Sequence, residues 1–174
     1  MSLALTTRVP ITRWGADSIA LWRRALAIAP NDGDAANNLG LALIAPHRGS
    51  ASQDWDGARR AHAIAGTLSP AHFEAHYNHG VAAGRLAAAA RNKARAGVAD
   101  ATAAARAFER EAEGAYESAL AIEPGLVSAM QNLATIRQRA GDVTAARALY
   151  ERVLAAAPAH AGAMANLEVL DRHR

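Results

Sequence analysis

The segment between Pro124 and Pro158 places the strongest constraint on the fold, because its 34 residues have the order of two helices joined by a tight turn. Apolar residues recur on one helical face on each side of the turn, which is typical of amphipathic helices that pack together. The marker positions are Asn132-Leu133-Ala134 in the first helix, Gly141-Asp142 at the turn, and Ala146, Tyr150 and Leu154 in the second helix. The segment predicts one complete helix-turn-helix unit.

Parts of the same unit recur along the chain. Residues 18–30 repeat the second helix, with Trp22 at the position of Tyr150, and residues 34–44 repeat the first helix. Residues 161–168 begin another first helix. The chain therefore predicts an array of similar units, bounded by recurring prolines.

One unit is longer than the others. Pro70 and Pro124 stand 54 residues apart, and the 20 surplus residues contain no loop-like run. We predict two over-long antiparallel helices, about 71–96 and 100–122, with Gly97 as the C-terminal cap of the first. Ten extra residues per helix would project roughly 15 Å beyond the neighbouring units.

Asp100 and Thr102 are alternative N-terminal caps for the second long helix. Glu109, Glu113 and Glu117 follow on that helix at four-residue spacing, where like charges mildly repel. We expect cations to meet this row from across the hairpin. Arg85 is a candidate for that role. The hairpin is either a solvated, self-paired projection or a docking arm for a partner.

The period and the order of Leu-Gly, Ala, Tyr and Pro resemble the tetratricopeptide repeat (TPR), here of a bacterial, Ala-rich type. The resemblance implies an all-α, right-handed helical solenoid with about three full repeats plus flanking half repeats, one repeat having over-long helices. We expect an irregular N-terminal leader over residues 1–13 and a solenoid over 14–174. Its parts are a half repeat (14–30), a repeat (31–70), an extended repeat (71–124), a repeat (125–158) and a C-terminal capping helix (159–174).

Composition narrows the classes of function. More than a quarter of the residues are Ala and only 5% are aromatic, which favours closely packed helices. The net charge is +3, but the basic residues are scattered among acidic ones, so we predict no nucleic-acid partner. No stretch is apolar enough for a membrane span, and we expect a cytoplasmic protein without a membrane partner. The absence of Cys excludes disulfides and thiolate metal sites.

An Asn recurs at an equivalent position in successive first helices, and we call this set the Asn ladder: Asn38, Asn78, Asn132 and Asn166. In proteins that the chain resembles, first helices line the concave groove, where an Asn can hydrogen-bond the backbone of an extended peptide. The alternative is that this Asn orders the repeat itself. One turn earlier, the residues are acidic or neutral, which disfavours the carboxylate clamp of chaperone adaptors: Asp34, Glu74, Ser128 and Gly162.

The predicted peptide-binding groove comprises the Asn ladder and further first-helix residues: Asn38, Asn78, Asn132, Asn166, Tyr77, Glu74, Arg85, Gln131, Gln138 and Arg139. Asn37 is a further expected groove position. The groove positions are partly apolar near the N-terminal end and polar to basic towards the C-terminal end. This mixture suits an extended segment with an apolar portion and an acidic portion.

Four histidines raise the question of a metal site. His72, His76 and His79 share one helical face, and His62 lies on the preceding helix. Imidazoles one turn apart can chelate zinc or nickel. However, His62 occupies the aromatic position and His79 the Leu position, where side chains pack inside the unit. We favour packed or surface histidines and predict neither a metal nor another cofactor.

No catalytic motif is present, because no Gly-rich phosphate loop or Ser/His/Asp set can be placed. We predict a non-catalytic scaffold that binds a protein or peptide. The alternative is the TPR segment of a larger enzyme, since residues 37–43 resemble the TPR regions of bacterial glycosyltransferases of the O-linked N-acetylglucosamine type. A homo-oligomer formed through the end helices is a third option.

Overall fold

The computed structural model describes residues 16–45 and 53–172, and all regular structure in these ranges is α-helical. The helices are α1 (Ala16–Ile28), α2 (Gly33–Ile44), α3 (Trp55–Leu68), α4 (Phe73–Arg95), α5 (Ala101–Ile122), α6 (Val127–Arg139), α7 (Val143–Ala156) and α8 (Ala161–Arg172). The all-α prediction is confirmed. The predicted leader, residues 1–13, lies outside the described residues.

The helices pack in pairs, and each pair packs on the next. α2 packs with α3, α4 with α5, and α6 with α7, while α3 contacts α4 and α5 contacts α6. The single helices α1 and α8 pack at the two ends of this series, on α2 and α7. This order confirms the predicted array of three full repeats with flanking half repeats, in which α4 and α5 are the over-long pair.

Alanine allows the close approach of the helices. An Ala stands three residues before each member of the Asn ladder, and each of these side chains is at most 1% exposed: Ala35, Ala75, Ala129 and Ala163. A methyl group fills the narrow space between backbones without losing side-chain entropy. The high Ala content of the sequence is therefore a packing requirement of the core.

In two repeats a ring of the second helix packs over a glycine of the first helix. His62 lies over Gly40, where a Cβ atom would stand 2.5 Å from the imidazole. Tyr116 lies over Gly80 in the same way, with a Cβ contact of 2.6 Å. Glycine is required at these two positions because the ring occupies the space of a side chain.

The turns within two repeats share one geometry. Gly97 and Gly141 have φ values of 77° and 84°, which favour glycine. After Gly97, the amide of Val98 donates to the carbonyl of Lys93, as in a Schellman motif. The prediction of Gly97 as a C-terminal cap is confirmed. Asp100 stands at the N-cap of α5 but makes no capping bond with its side chain, and its φ of 61° differs from the extended backbone usual there.

The acidic row on α5 meets cations from two helices: Arg91 of α4 pairs with Glu109 across the hairpin, as expected, and α6 supplies the others. Glu113 and Glu117 both accept from Arg137 of α6, at 2.6 and 2.7 Å. Arg85 does not join this row, and its guanidinium carbon lies 5.4 Å from the centre of the Trp55 ring. The expected pairing of Arg85 was wrong because α6, not only α4, packs along α5 and brings its own cation to the row.

No helix in the described ranges combines the length and the apolar character needed to cross a membrane.

Candidate functional site

A cleft of about 410 Å³ lies between the first helices α4 and α6. We call it the α4–α6 cleft and define it by its lining residues: Tyr77, Val81, Gly84, Arg85, Ala87, Ala88, Arg91, Glu109, Tyr116, Asn132, Thr135, Ile136 and Arg139. The α4 and α6 members recur at helical spacing, so each helix presents one face. The two residues from α5 close the space between these helices.

The over-long hairpin extends the α4–α6 cleft. α6 ends at Arg139, whereas α4 continues through Ala88 and Arg91, which line the cleft together with Glu109 of α5. The guanidinium of Arg91 donates to the Glu109 carboxylate across the hairpin. The extra turns therefore lengthen one wall of the cleft, while a role as a docking arm stays a prediction.

Two tyrosines form the aromatic part of the cleft. The rings of Tyr77 and Tyr116 are tilted by 47° with their centres 6.0 Å apart. The Tyr116 hydroxyl accepts a hydrogen bond of 3.2 Å from the Nδ2 atom of Asn132. Burial raises the pKa of Tyr116, so the phenol stays neutral. Its own proton can then be donated towards an acceptor in the cleft.

Hydrogen bonds within the protein engage two members of the Asn ladder. Asn132 donates to Tyr116. Asn78 donates to the Oδ1 atom of Asn37 at 3.2 Å. Each of these bonds joins one repeat to the preceding one. The interpretation that the ladder orders the repeats thus has a direct structural basis, and contact with a peptide stays a prediction.

Asn37 is not a groove residue, and this expectation was wrong. Its side chain is only 7% exposed, and its Oδ1 atom lies 2.8 Å from Nδ1 of His62. The His62 ring is buried inside the repeat, and the Asn37 side chain is buried beside it because the two are hydrogen-bonded. Asn38, the ladder residue beside it, is half-buried on α2.

Four predicted groove residues come together in the α4–α6 cleft: Tyr77, Arg85, Asn132 and Arg139. Others lie elsewhere: Glu74 is exposed and pairs with His72 at 3.0 Å, and the Gln138 Oε1 atom accepts from Tyr150 at 2.8 Å. Gln131 is half-buried, and its Oε1 atom is buried without a hydrogen-bond partner in the described part of the chain.

Sequence reasoning missed Tyr116 and Ile136, which line the cleft from α5 and α6. A signal for Tyr116 exists in the sequence. Asn132 follows Tyr116 by the same interval of 16 residues that separates Asn166 from Tyr150. This recurrence marks the second-helix aromatic as the partner of the next ladder Asn, and it would have placed Tyr116 beside the groove.

The four histidines contact different partners. The His79 Nε2 atom lies 2.7 Å from the carboxylate of Glu111, and His76 Nε2 lies 3.1 Å from the carbonyl of Pro70. His72 lies beside carboxylates of α2 and α4, and His62 is fully buried. Over the ranges that the structure describes, no three His, Asp or Glu side chains are arranged to hold a metal ion.

The fold is similar to that of solved TPR structures. The Arabidopsis OM64 TPR domain matches with a TM-score of 0.61 at 18% identity, over 82% of this chain and 96% of that one. The first TPR domain of Spaghetti (RPAP3), bound to an HSP90 peptide, matches with a TM-score of 0.55 at 14% identity, over 91% and 94% of the two chains. MamA matches with a TM-score of 0.60 at 18% identity, over 80% of this chain and 62% of MamA.

No family model matches the sequence, and no curated protein matches it. The structural similarity and the helix pairing together confirm the predicted fold. The chain has the all-α fold of a TPR solenoid.

Proposed function

We propose that this chain is a non-catalytic protein-interaction module whose first-helix groove holds an extended segment of a partner, with the α4–α6 cleft as the main anchoring site. The observation that supports this proposal most directly is the cleft itself, whose volume of about 410 Å³ falls within the range of ligand pockets. Its lining mixes apolar with polar and charged side chains, so it can contact both the side chains and the main chain of a peptide.

The chemistry of the cleft suits a peptide. Tyr77 is half-buried and offers aromatic surface with a hydroxyl group, as anchor sites in interfaces commonly do, whereas Tyr116 is only 3% exposed and forms the floor beneath it. The hydroxyl proton of Tyr116 can be donated to a main-chain carbonyl without requiring a charge on the ligand. The Thr135 hydroxyl donates to the Gln131 carbonyl at 2.9 Å, so towards a ligand it can only accept. The similar TPR domain of Spaghetti binds an HSP90 peptide. For this chain we propose only that a peptide binds in the groove.

Selection from a displayed library of random peptides tests the proposal. A Gly84→Leu variant should lose most binding to the selected peptides, because Gly84 lines the cleft and only the Tyr116 hydroxyl, at 3.7 Å, approaches its Cβ position. Gly114→Leu is the matched control, since no atom lies within 4 Å of that Cβ position. Peptides that bind wild type and Gly84→Leu equally would contradict the groove model.

The alternative that the chain is the TPR segment of a larger glycosyltransferase stays a prediction. The cytoplasmic location and the homo-oligomer also stay predictions. Each concerns the context of the chain and is compatible with a peptide held in the α4–α6 cleft.

A further inference from the structure

The α4–α6 cleft carries an excess of positive charge. Its charged lining residues are Arg85, Arg91, Arg139 and Glu109. Arg91 and Arg139 share the single carboxylate, the Arg139 distance being 3.4 Å. Two positive charges therefore stay uncompensated by the lining, and such an excess attracts anionic groups.

Arg85 has hydrogen-bonding capacity to spare. It is exposed, and its guanidinium carbon lies over the Trp55 ring, 5.4 Å from the ring centre. A cation–π contact does not neutralise the charge, so the guanidinium group can still pair with a carboxylate. No carboxylate lies within ion-pair distance of Arg85 in residues 16–45 and 53–172.

Arg85 and Arg139 occupy equivalent positions of neighbouring first helices. Each follows its ladder Asn, Asn78 or Asn132, by seven residues. Seven residues are about two helical turns, so each arginine lies on nearly the same face as its ladder Asn. The two guanidinium groups therefore belong to opposite walls of one cleft.

Apolar surface adjoins these charges. Val81 and Ile136 line the same cleft, each partly or largely buried, together with the Tyr77 ring. An aliphatic or aromatic side chain placed there would lose water from its surface on binding. The neighbouring arginines would remain accessible to a polar group beside it.

We infer that the α4–α6 cleft selects an internal, extended segment in which an Asp or Glu side chain stands next to an apolar side chain. The carboxylate lies between Arg85 and Arg139, and the apolar side chain packs against Tyr77, Val81 and Ile136. Electrostatic complementarity of this kind contributes to specificity and speeds association. This inference rests on the proposed peptide-binding function and gives it a ligand chemistry.

The displayed random library also tests this inference when each peptide is fused at its C-terminus, so that no free chain end contributes a carboxylate. Peptides recovered on wild type should be enriched in Asp or Glu beside apolar residues. Selection on Arg85→Glu should lose that enrichment. Arg110→Glu, an exposed position on α5 outside the cleft lining, makes the same charge change and should keep it.

A selected peptide should bind Arg85→Glu about ten-fold or more weakly than wild type, and Arg85→Gln should show a smaller loss in the same direction. The wild-type affinity should also fall as salt is raised. If the selected peptides lack acidic residues but fail to bind Gly84→Leu, the acidic preference is wrong and the groove function still holds. Peptides indifferent to Gly84→Leu would instead overturn the proposed function.

Discussion

The Nδ1 atom of His62 lies 2.8 Å from the carboxamide oxygen of Asn37, and both side chains are buried between α2 and α3. His62 occupies the position that Tyr116 and Tyr150 hold in the next two repeats. Its Nε2 atom is buried without a hydrogen-bond partner in the described part of the chain. Since a carboxamide oxygen can only accept, Nδ1 carries the proton of a neutral ring.

The first prediction is that the protein loses stability at acid pH because of His62. Burial, with smaller effects of His79 and His72, lowers the pKa of His62 to about 4. In the unfolded chain the pKa is about 6.5. The stabilising contribution of the neutral ring is therefore complete above about pH 6.5 and is lost as the pH falls towards about 4. We expect the free energy of unfolding, measured with urea, to fall by up to roughly 3 kcal/mol over this window because of His62.

The His62→Tyr variant is the control for this acid effect. Tyrosine already packs at the equivalent position over Gly80, so the ring should fit over Gly40. The variant should lose less stability than wild type over the same pH window, because a phenol does not titrate there. Equal acid losses in the two proteins would show that His62 is not responsible.

The second prediction compares two glycines in the long hairpin. A Cβ at Gly80 would stand 2.6 Å from the Tyr116 ring, whereas nothing lies within 4 Å of the Cβ position of Gly114. Gly80→Ala should destabilise by about 1–3 kcal/mol through overpacking. Gly114→Ala should stabilise by about 0.5–1 kcal/mol through helix propensity. Thermal unfolding of both variants checks the opposite signs, and equal shifts would contradict the packing explanation.

The fold could be predicted from sequence because its determinants are local and recur. The interval from Pro124 to Pro158 set the repeat, and the uninterrupted Ala-rich run up to Gly97 indicated the long hairpin. These signals depend on backbone geometry and helical periodicity alone. They are therefore insensitive to the direction that any one side chain takes.

The site was less predictable because it depends on side-chain directions between repeats. Asn132 was placed on the correct helix, but its partner Tyr116 comes from the preceding repeat. Arg85 was predicted as a groove residue and lines the α4–α6 cleft, but its contact with the Trp55 ring depends on a side-chain conformation. Sequence periodicity assigns a residue to a helix face, and packing between helices decides which atom it meets.

The third prediction concerns Glu111, a half-buried carboxylate at the centre of an ion-pair network. Glu111 accepts from Arg59 at 2.8 Å and lies 2.7 Å from His79, so it joins α3, α4 and α5. Burial alone would raise the pKa of Glu111, but hydrogen bonds from His79 and Arg59 outweigh it and lower the pKa. Glu111→Gln should therefore cost about 1–2 kcal/mol of stability at neutral pH, measured by urea unfolding.

Glu168 provides the comparison for Glu111. It pairs with Arg172 one turn away, and both side chains are about two-thirds exposed. Glu168→Gln should change stability by less than about 0.5 kcal/mol, because an exposed pair gains little. A loss as large as that of Glu111→Gln would contradict the contrast between half-buried and exposed ion pairs.

The last prediction tests whether the Asn ladder holds neighbouring repeats together. Asn132→Ala and Tyr116→Phe each remove one side of the same hydrogen bond, so each should destabilise by about 1 kcal/mol. The double variant should lose less than the sum, by roughly 0.5–1 kcal/mol, because the shared bond can be lost only once. Urea unfolding of all four proteins gives this coupling. Asn92→Ala, at an exposed position of α4, should be nearly neutral. Strict additivity would show that the bond contributes nothing to the junction between these two repeats.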